Sequence, residues 1–261
     1  MNEPLDLDRV HTLLRTEFIG RTIWHHETVT STMDVARDEA KARVSEGAVA
    51  LAEEQTAGRG RMGRSWVSPA GVNLYFTVVL RPALEHLRQL AVIAPLAVCH
   101  GIEETTGLQP RIKWPNDVLL DGKKVCGMLP ESELAGDELL FALIGIGINV
   151  NLDVAAYPEI SELATSIRAE LGREVAREEI LAATLNNLET LYQALRRGEV
   201  VSMGWKQRLD TLGQHVRVHT AGGKTDAGVA VDADSDGALI LRRDDGSHVR
   251  VEAGEVTLRE S

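Results

Sequence analysis

RIKWPNDVLLDGKKVCGMLPESELAGDELLFALIGIGINVN, residues 111–151, is the stretch that decides the fold. Three strand-like runs follow one another in it: Arg111–Trp114 into Val118–Leu120, then Lys123–Glu133, then Glu138–Asn151. Asp121-Gly122 separates the first two, and this dipeptide is a strong signal for a two-residue hairpin because both positions accept positive φ. The third run holds the longest strongly apolar stretch of the chain, around Leu139–Val150. Gly145, Gly147 and Asn149 interrupt it, so it reads as a buried strand. It falls short of the roughly 18 apolar residues that a membrane span needs. Neighbouring runs joined by short turns imply an antiparallel ribbon.

Working outward, Val72–Leu80 alternates β-branched and aromatic residues and adds a further strand, and Thr22–Glu27 and Gly47–Glu54 add two more. Ser31 or Thr32 can cap a helix running to about Val44, with Asp34 at its positive end. Residues 5–19 read as a short amphipathic helix or lead-in. Thr56–Pro69 is a loop rich in glycine and arginine. A long helix is expected over His86–Thr106, with a kink or break at Pro95. Residues 160–211 read as two helices split near Gly198. Beyond Leu212 short β-rich pieces alternate with Gly/Asp turns: Val216–Thr220, Ala227–Val231, Ala238–Leu241 and His248–Glu252. Together these predict an α+β protein, with helices packed on a mixed, largely antiparallel sheet over residues 1–211 and a small β domain over 212–261.

Composition narrows the function. The 261 residues carry a formal charge of −11, which disfavours gripping nucleic acid through its phosphates. No apolar run is long enough for a membrane helix, and the acidic, polar N-terminus does not fit a secretory signal. Cys99 and Cys126 both sit in apolar segments and read as core thiols of a reducing compartment, so the cytoplasm is expected.

Against this acidic background Arg59, Arg61 and Arg64 fall within Gly58-Arg59-Gly60-Arg61-Met62-Gly63-Arg64. Glycines let a backbone take positive φ and approach a ligand closely, and guanidiniums bond phosphate or carboxylate, often bidentately. The bland alternative is a flexible basic surface loop. The heptapeptide matches neither GxxxxGK[ST] nor the dinucleotide fingerprint. Lys113-Trp114-Pro115-Asn116-Asp117 offers a cation, a fixed bend and two oxygen ligands; Asp117 could hold Mg²⁺ or orient an attacking amine, unless this is an ordinary turn. Lys124, just past the hairpin, could stabilise charge on a transferring phosphorus, though hairpin lysines are commonly solvated. Glycines within Gly145–Asn151 mark either a bulge or the close approach of a ligand or a second backbone. His25 and His26 are adjacent on a strand and point to opposite faces, a poor metal pair.

Taken together, Ser31-Thr32, Gln55–Arg64, Trp66, Lys113–Asp117, Lys124, Gly127 and Gly145–Asn151 resemble the biotin protein ligase family over about residues 22–151, and the tail from residue 212 resembles its SH3-like C-terminal domain. The resemblance implies a class II synthetase-like catalytic fold followed by a small SH3-like β-barrel. It also implies a two-step reaction: biotin and ATP form biotinoyl-AMP, and a lysine of a biotin carboxyl carrier protein then takes the biotin. Arg61, Lys124 and Asp117 are the implied catalytic residues. Ser31, Thr32, Gln55, Arg59, Lys124, Gly127 and Gly145 are the implied biotin site. Gly58, Arg59, Gly60, Arg61, Arg64, Trp66, Lys113, Asn116 and Asn149 are the implied ATP and phosphate site, with Asp117 a possible Mg²⁺ ligand.

Two positions depart from the family pattern. Met33 stands where asparagine is usual and is expected to shape the mouth of the biotin pocket. Pro130 stands where an aliphatic residue is usual, and it removes a ladder donor, so it should lie at an edge or bulge. The stretch before Thr22 is too short for the winged helix-turn-helix of the family's repressors, which implies a ligase without repressor function. Relatives of this kind imply a homodimer through the sheet. The rival readings are a lipoate or octanoyl transferase, a non-catalytic biotin sensor or corepressor, and a generic nucleotide-binding regulator.

Overall fold

The computed structural model describes residues 4–220 and 223–258; residues 1–3 and 259–261, the outer ends of the two expected domains, lie outside it, as do 221–222. The first part of the chain runs α1 (Leu7–Leu13), β1 (Ile23–Val29), α2 (Thr32–Lys41), β2 (Val49–Gln55), β3 (Leu74–Leu80), α3 (Leu90–Thr106), β4 (Arg111–Lys113), β5 (Asp117–Leu120), β6 (Lys123–Ala135) and β7 (Glu138–Ile148). The seven strands form one sheet in the order β1-β2-β3-β7-β6-β5-β4. Only β1 and β2 run parallel, with α2 as the crossover between them. The sheet is therefore mixed and largely antiparallel, as the strand runs predict.

β3, LYFTVVL, is buried throughout because helices cover both faces of the sheet. Its period of two sends Leu74, Phe76, Val78 and Leu80 into the main core under α3, while Val79 joins Met33, Ala36, Ala50 and Phe141 in a second core under α2. Each fully buried side chain of this kind contributes about 1.5–3 kcal/mol. α2 starts where expected: the Ser31 hydroxyl accepts from the Met33 N–H at 3.3 Å, and Asp34 lies in the first turn.

Three expectations need correction. Residues 111–120 are two strands, because the chain reverses at Trp114–Asn116, where the Trp114–Pro115 bond is cis, and Lys113 pairs back onto Asp117. α3 runs unbroken through Pro95. The ring removes one helical donor, but the residues on either side are buried against the sheet and hold the helix together. Residues 160–211 contain three helices, α4 (Ile167–Leu171), α5 (Arg177–Arg196) and α6 (Ser202–Arg208). Gly172 stops the first at φ 68°, and a further break falls at Gly198 as expected. Residues 160–166 are not helical at all.

Other readings hold. Asp121 (φ 46°) and Gly122 (φ 76°) make the hairpin turn between β5 and β6. β5 stays paired with β6 only as far as Gly127, so Pro130 lies on a stretch of β6 with β7 as its one strand neighbour. Cys99 and Cys126 are buried and unpaired, and burial raises both thiols, Cys99 to about 12.

The remaining strands are β8 (His215–His219), β9 (Thr225–Ala233), β10 (Leu239–Arg242), β11 (His248–Val251) and β12 (Glu255–Leu258), a five-stranded antiparallel sheet in the order β11-β10-β9-β8-β12. This suits the SH3-like unit expected, with β12 as a strand the sequence reading omits. It is fastened to the large sheet where the Trp114 indole N–H donates to the Gly237 carbonyl at 2.7 Å. No helix among the described residues is long and apolar enough to cross a membrane.

Candidate active site

A cavity of about 350 Å³ opens between the glycine-arginine loop, the β5–β6 hairpin, the end of β7 and the start of β12. Every residue that the sequence reading assigns to the site lines it, except Gly58. Part of its floor is bare backbone: Gly127 and Gly147 face each other across β6 and β7. The Trp66 ring lies on this glycine pair. A Cβ at Gly147 would stand 2.5 Å from the indole nitrogen, and one at Gly127 3.0 Å from the ring and 2.9 Å from Lys124 Cε. Beside them, a Cβ at Gly145 would meet Met33 Sδ at 2.7 Å. The glycines in the apolar strand thus mark close approach rather than a bulge.

The charged groups converge above this floor. Lys124 Nζ stands 2.8 Å from Asp117 Oδ1 and 5.2 Å from the centroid of the Trp66 ring. Arg61 donates to Asn116 Oδ1 at 2.9 Å and to the Gly254 carbonyl at 3.0 Å. Burial lowers the Arg61 guanidinium from its ordinary range, nearby Asp117 opposes that shift, and Arg64 adds to it. Arg64 pairs with Glu255, and Arg59 bonds Asp34 Oδ1 at 2.6 Å. Lys113 lines the same cavity. These cations, held by exposed or partial partners, leave donors available to an incoming anion.

The loop's glycines do different work from that expected. Positive φ falls on Met62 (54°) and Gly63 (74°), whereas Gly60 is extended. Gly58 is required for packing, since a Cβ there would lie 2.5 Å from the Trp66 carbonyl oxygen and 2.6 Å from Ser68 Oγ.

At the deep end, Gln55 Oε1 accepts from the Thr32 N–H at 2.9 Å and from its hydroxyl at 3.3 Å, and the Thr32 hydroxyl also meets that of Thr77 at 2.9 Å. Met33, on the buried face of α2, is 3% exposed and packs with Ala36, Ala50 and Phe141, so it forms inner wall rather than mouth. Asn149 reaches the cavity, but its amide donates to the Thr165 carbonyl at 3.0 Å and its oxygen faces Asn73, which makes it a brace at the end of β7.

Several lining groups escape the sequence reading. Glu255 and Val256 come from the far end of the chain. Leu163 and Ala164 arrive because residues 163–165 clip onto Lys124: its N–H donates to the Leu163 carbonyl and its carbonyl accepts from the Thr165 N–H, each at 2.9 Å. Nothing in this short, irregular segment announces that pairing. His25 bonds Glu53 Oε1 at 2.8 Å, away from the cavity, and no cluster of three or more His, Cys, Asp or Glu stands ready for a metal among the described residues.

Residues 23–149 match the Biotin/lipoate A/B protein ligase family, and residues 211–259 match the Biotin protein ligase C terminal domain. The chain is 36% identical over 238 residues to the bifunctional ligase/repressor BirA of Bacillus subtilis, covering 89% of this chain and 73% of that one. It is 32% identical to the biotin–[acetyl-CoA-carboxylase] ligase of Mycobacterium tuberculosis, covering 93% of each. Among solved structures, the Aquifex aeolicus biotin protein ligase in complex with biotin and ATP superposes with a TM-score of 0.79 at 30% identity, covering 92% of this chain and all of that one. With the fold, the pocket and both matched segments in agreement, this chain belongs to the biotin protein ligases of the Biotin/lipoate A/B protein ligase family.

Proposed function

We infer that the protein is an ATP-dependent biotin protein ligase, which activates biotin as biotinoyl-AMP and transfers it to a lysine of a carboxylase's biotin carrier. The observation that carries this reading is the convergence of Arg61, Lys124 and Asp117 over the Gly127/Gly147 floor in one cavity. The biotin carboxylate attacks the α-phosphorus of ATP and pyrophosphate leaves; the carrier amine then attacks the mixed anhydride's carbonyl and AMP leaves. Both steps build negative charge on oxygen, and fixed cations aimed at that charge lower the barrier. Arg61, held by Asn116 and the Gly254 carbonyl, meets the phosphates. Lys124 lies between the acid and the α-phosphate. Ser31, Thr32, Gln55 and Arg59 take the biotin end, with Gly127 and Gly145 giving room. Gly58 and Gly60 shape the phosphate loop, Trp66 walls it, and Arg64, Lys113, Asn116 and the Asn149 brace complete the nucleotide side.

Asp117 orients the incoming amine and is the residue that would hold Mg²⁺. One carboxylate suits an ion that keeps several waters and arrives on a triphosphate. When bound, the ion neutralises phosphate charge. The division of the chain near residue 212, a cytoplasmic location, the absence of nucleic-acid binding at −11 charge and a homodimer through the sheet belong to the same proposal. The test is pyrophosphate release with ATP, Mg²⁺ and either biotin, lipoate or no acid. Release only with biotin, with biotinoyl-AMP trapped by mass spectrometry, is expected. Release with lipoate alone would move the chain to lipoate chemistry.

A further inference from the structure

Ser68 stands just behind the cavity wall and belongs to no group assigned above. It is buried, at 8% exposure, where the glycine-arginine loop returns to the sheet. Its hydroxyl donates to the Trp66 carbonyl at 3.0 Å and accepts from Gln55 Nε2 at 3.1 Å, while its own carbonyl accepts from the Gln55 N–H at 3.3 Å. One hydroxyl therefore bridges the base of the loop and the amide that faces Thr32. The bridge also fixes which way that amide points. With Nε2 spent on Ser68, Oε1 is presented to the Thr32 N–H and hydroxyl. Trp66 is tied a second time, by its N–H donating to the Gly58 carbonyl at 2.9 Å, and Gly58 has no Cβ because Ser68 Oγ occupies the space.

We propose that Ser68 is a positioning residue for the ligase reaction, coupling the biotin end of the cavity to the loop by holding Gln55 and Trp66 in register. It touches neither reactant. Its hydroxyl sets the direction of the Gln55 amide and seats the Trp66 ring on Gly127 and Gly147, so the loop's resting position and the acid-binding groups are set by one bond network. Ordering these groups before biotin arrives strengthens ground-state and transition-state binding alike, and such a contribution appears in KM more than in kcat.

The inference rests on the biotin reading, and its test has one readout that needs that reading and one that does not. Wild type, Ser68→Ala and Ser68→Cys are compared, with thermal melting to establish that each variant folds; the cysteine variant keeps the volume if alanine leaves a damaging void. In biotin-dependent pyrophosphate release, KM for biotin is expected to rise about tenfold with kcat little changed, the scale of one lost net hydrogen bond. In a Gln55→Ala background, adding Ser68→Ala should raise KM much less, because the shared partner is gone. Without substrate, limited trypsin digestion read by mass spectrometry should show faster cutting after Arg59, Arg61 and Arg64 in the variants and unchanged cutting elsewhere. An unchanged biotin KM in an active background, full additivity with Gln55→Ala, or unchanged loop cleavage in a folded variant overturns the role of Ser68. A wild type that ignores biotin instead sinks the ligase reading, and loop cleavage still decides on Ser68.

Discussion

Two clusters of opposite charges, one around Glu53 on β2 and one around Asp117 and Lys124 on β5 and β6, are built to opposite rules. In the first, Glu53 accepts from the Leu5 N–H, from Arg177 and from His25 at 2.7, 2.7 and 2.8 Å, and the Glu53 and Arg177 side chains are 7% and 6% exposed. Burial pushes the Glu53 carboxyl up, but bonds from His25, Arg177 and Leu5 outweigh it and hold the group at about 2. In the second, Arg61, Arg64, Lys124 and Asp117 are each met by one or two contacts, partly exposed, around open space. The first cluster is closed on itself and ties the N-terminal lead-in and α5 to the sheet. The second leaves donors for something absent from the chain. How completely charges are answered, rather than how many there are, separates a clamp from a site.

Breaking the closed cluster should have the largest effect. Arg177→Met leaves Glu53 buried without its principal cation and is expected to cost about 3–5 kcal/mol in urea unfolding. The biotin KM of the protein that remains folded should be unchanged. Glu53 titrates well below its ordinary 4.5 in the folded chain, so its contribution to stability is whole above about 4.5 and is lost as pH falls towards about 2. Unfolding curves between those values should show that loss in wild type and little of it in Arg177→Met. Next in size, Arg61→Ala should lower biotinoyl-AMP formation at least about 100-fold. Its melting temperature should stay within about 2 °C of wild type. A large fall in melting temperature there would make Arg61 a clamp like Arg177. Smallest of all, Glu255→Gln releases Arg64 from a pair whose members are 35% and 59% exposed. Stability should move by less than about 0.5 kcal/mol, with at most a slight drop in the KM for ATP.

Much of this could be read from the chain because the signals were local. Asp121-Gly122 announces its own turn, Ser31 its own cap, and the cations of the loop and of residues 113–124 cluster in sequence almost as they do in space. What could not be read depends on distant partners. Gly254 reaches Arg61 across most of the chain, and no pattern near either residue says so. Residues 163–165 carry no strand periodicity, and Lys124 alone makes a strand partner of them. Positive φ fell on Met62 rather than on Gly58 or Gly60, since loop closure sets dihedrals and glycine content only permits them. Helix propensity overextends the stretch after residue 160, because it registers neither the pairing of residues 163–165 with Lys124 nor the left-handed stop at Gly172.

The hairpin turn at Asp121-Gly122 has one more consequence, for the lengths the chain can tolerate. Asp117 and Lys124 sit on its two arms, and their pairing is set by that turn together with the bulge after Val118. Substituting residues between them alters the contact by degrees. Deleting or inserting a single residue there slips the register and sends one of the two side chains to the opposite face of the sheet. Over these few positions the protein should accept many spellings but only one length.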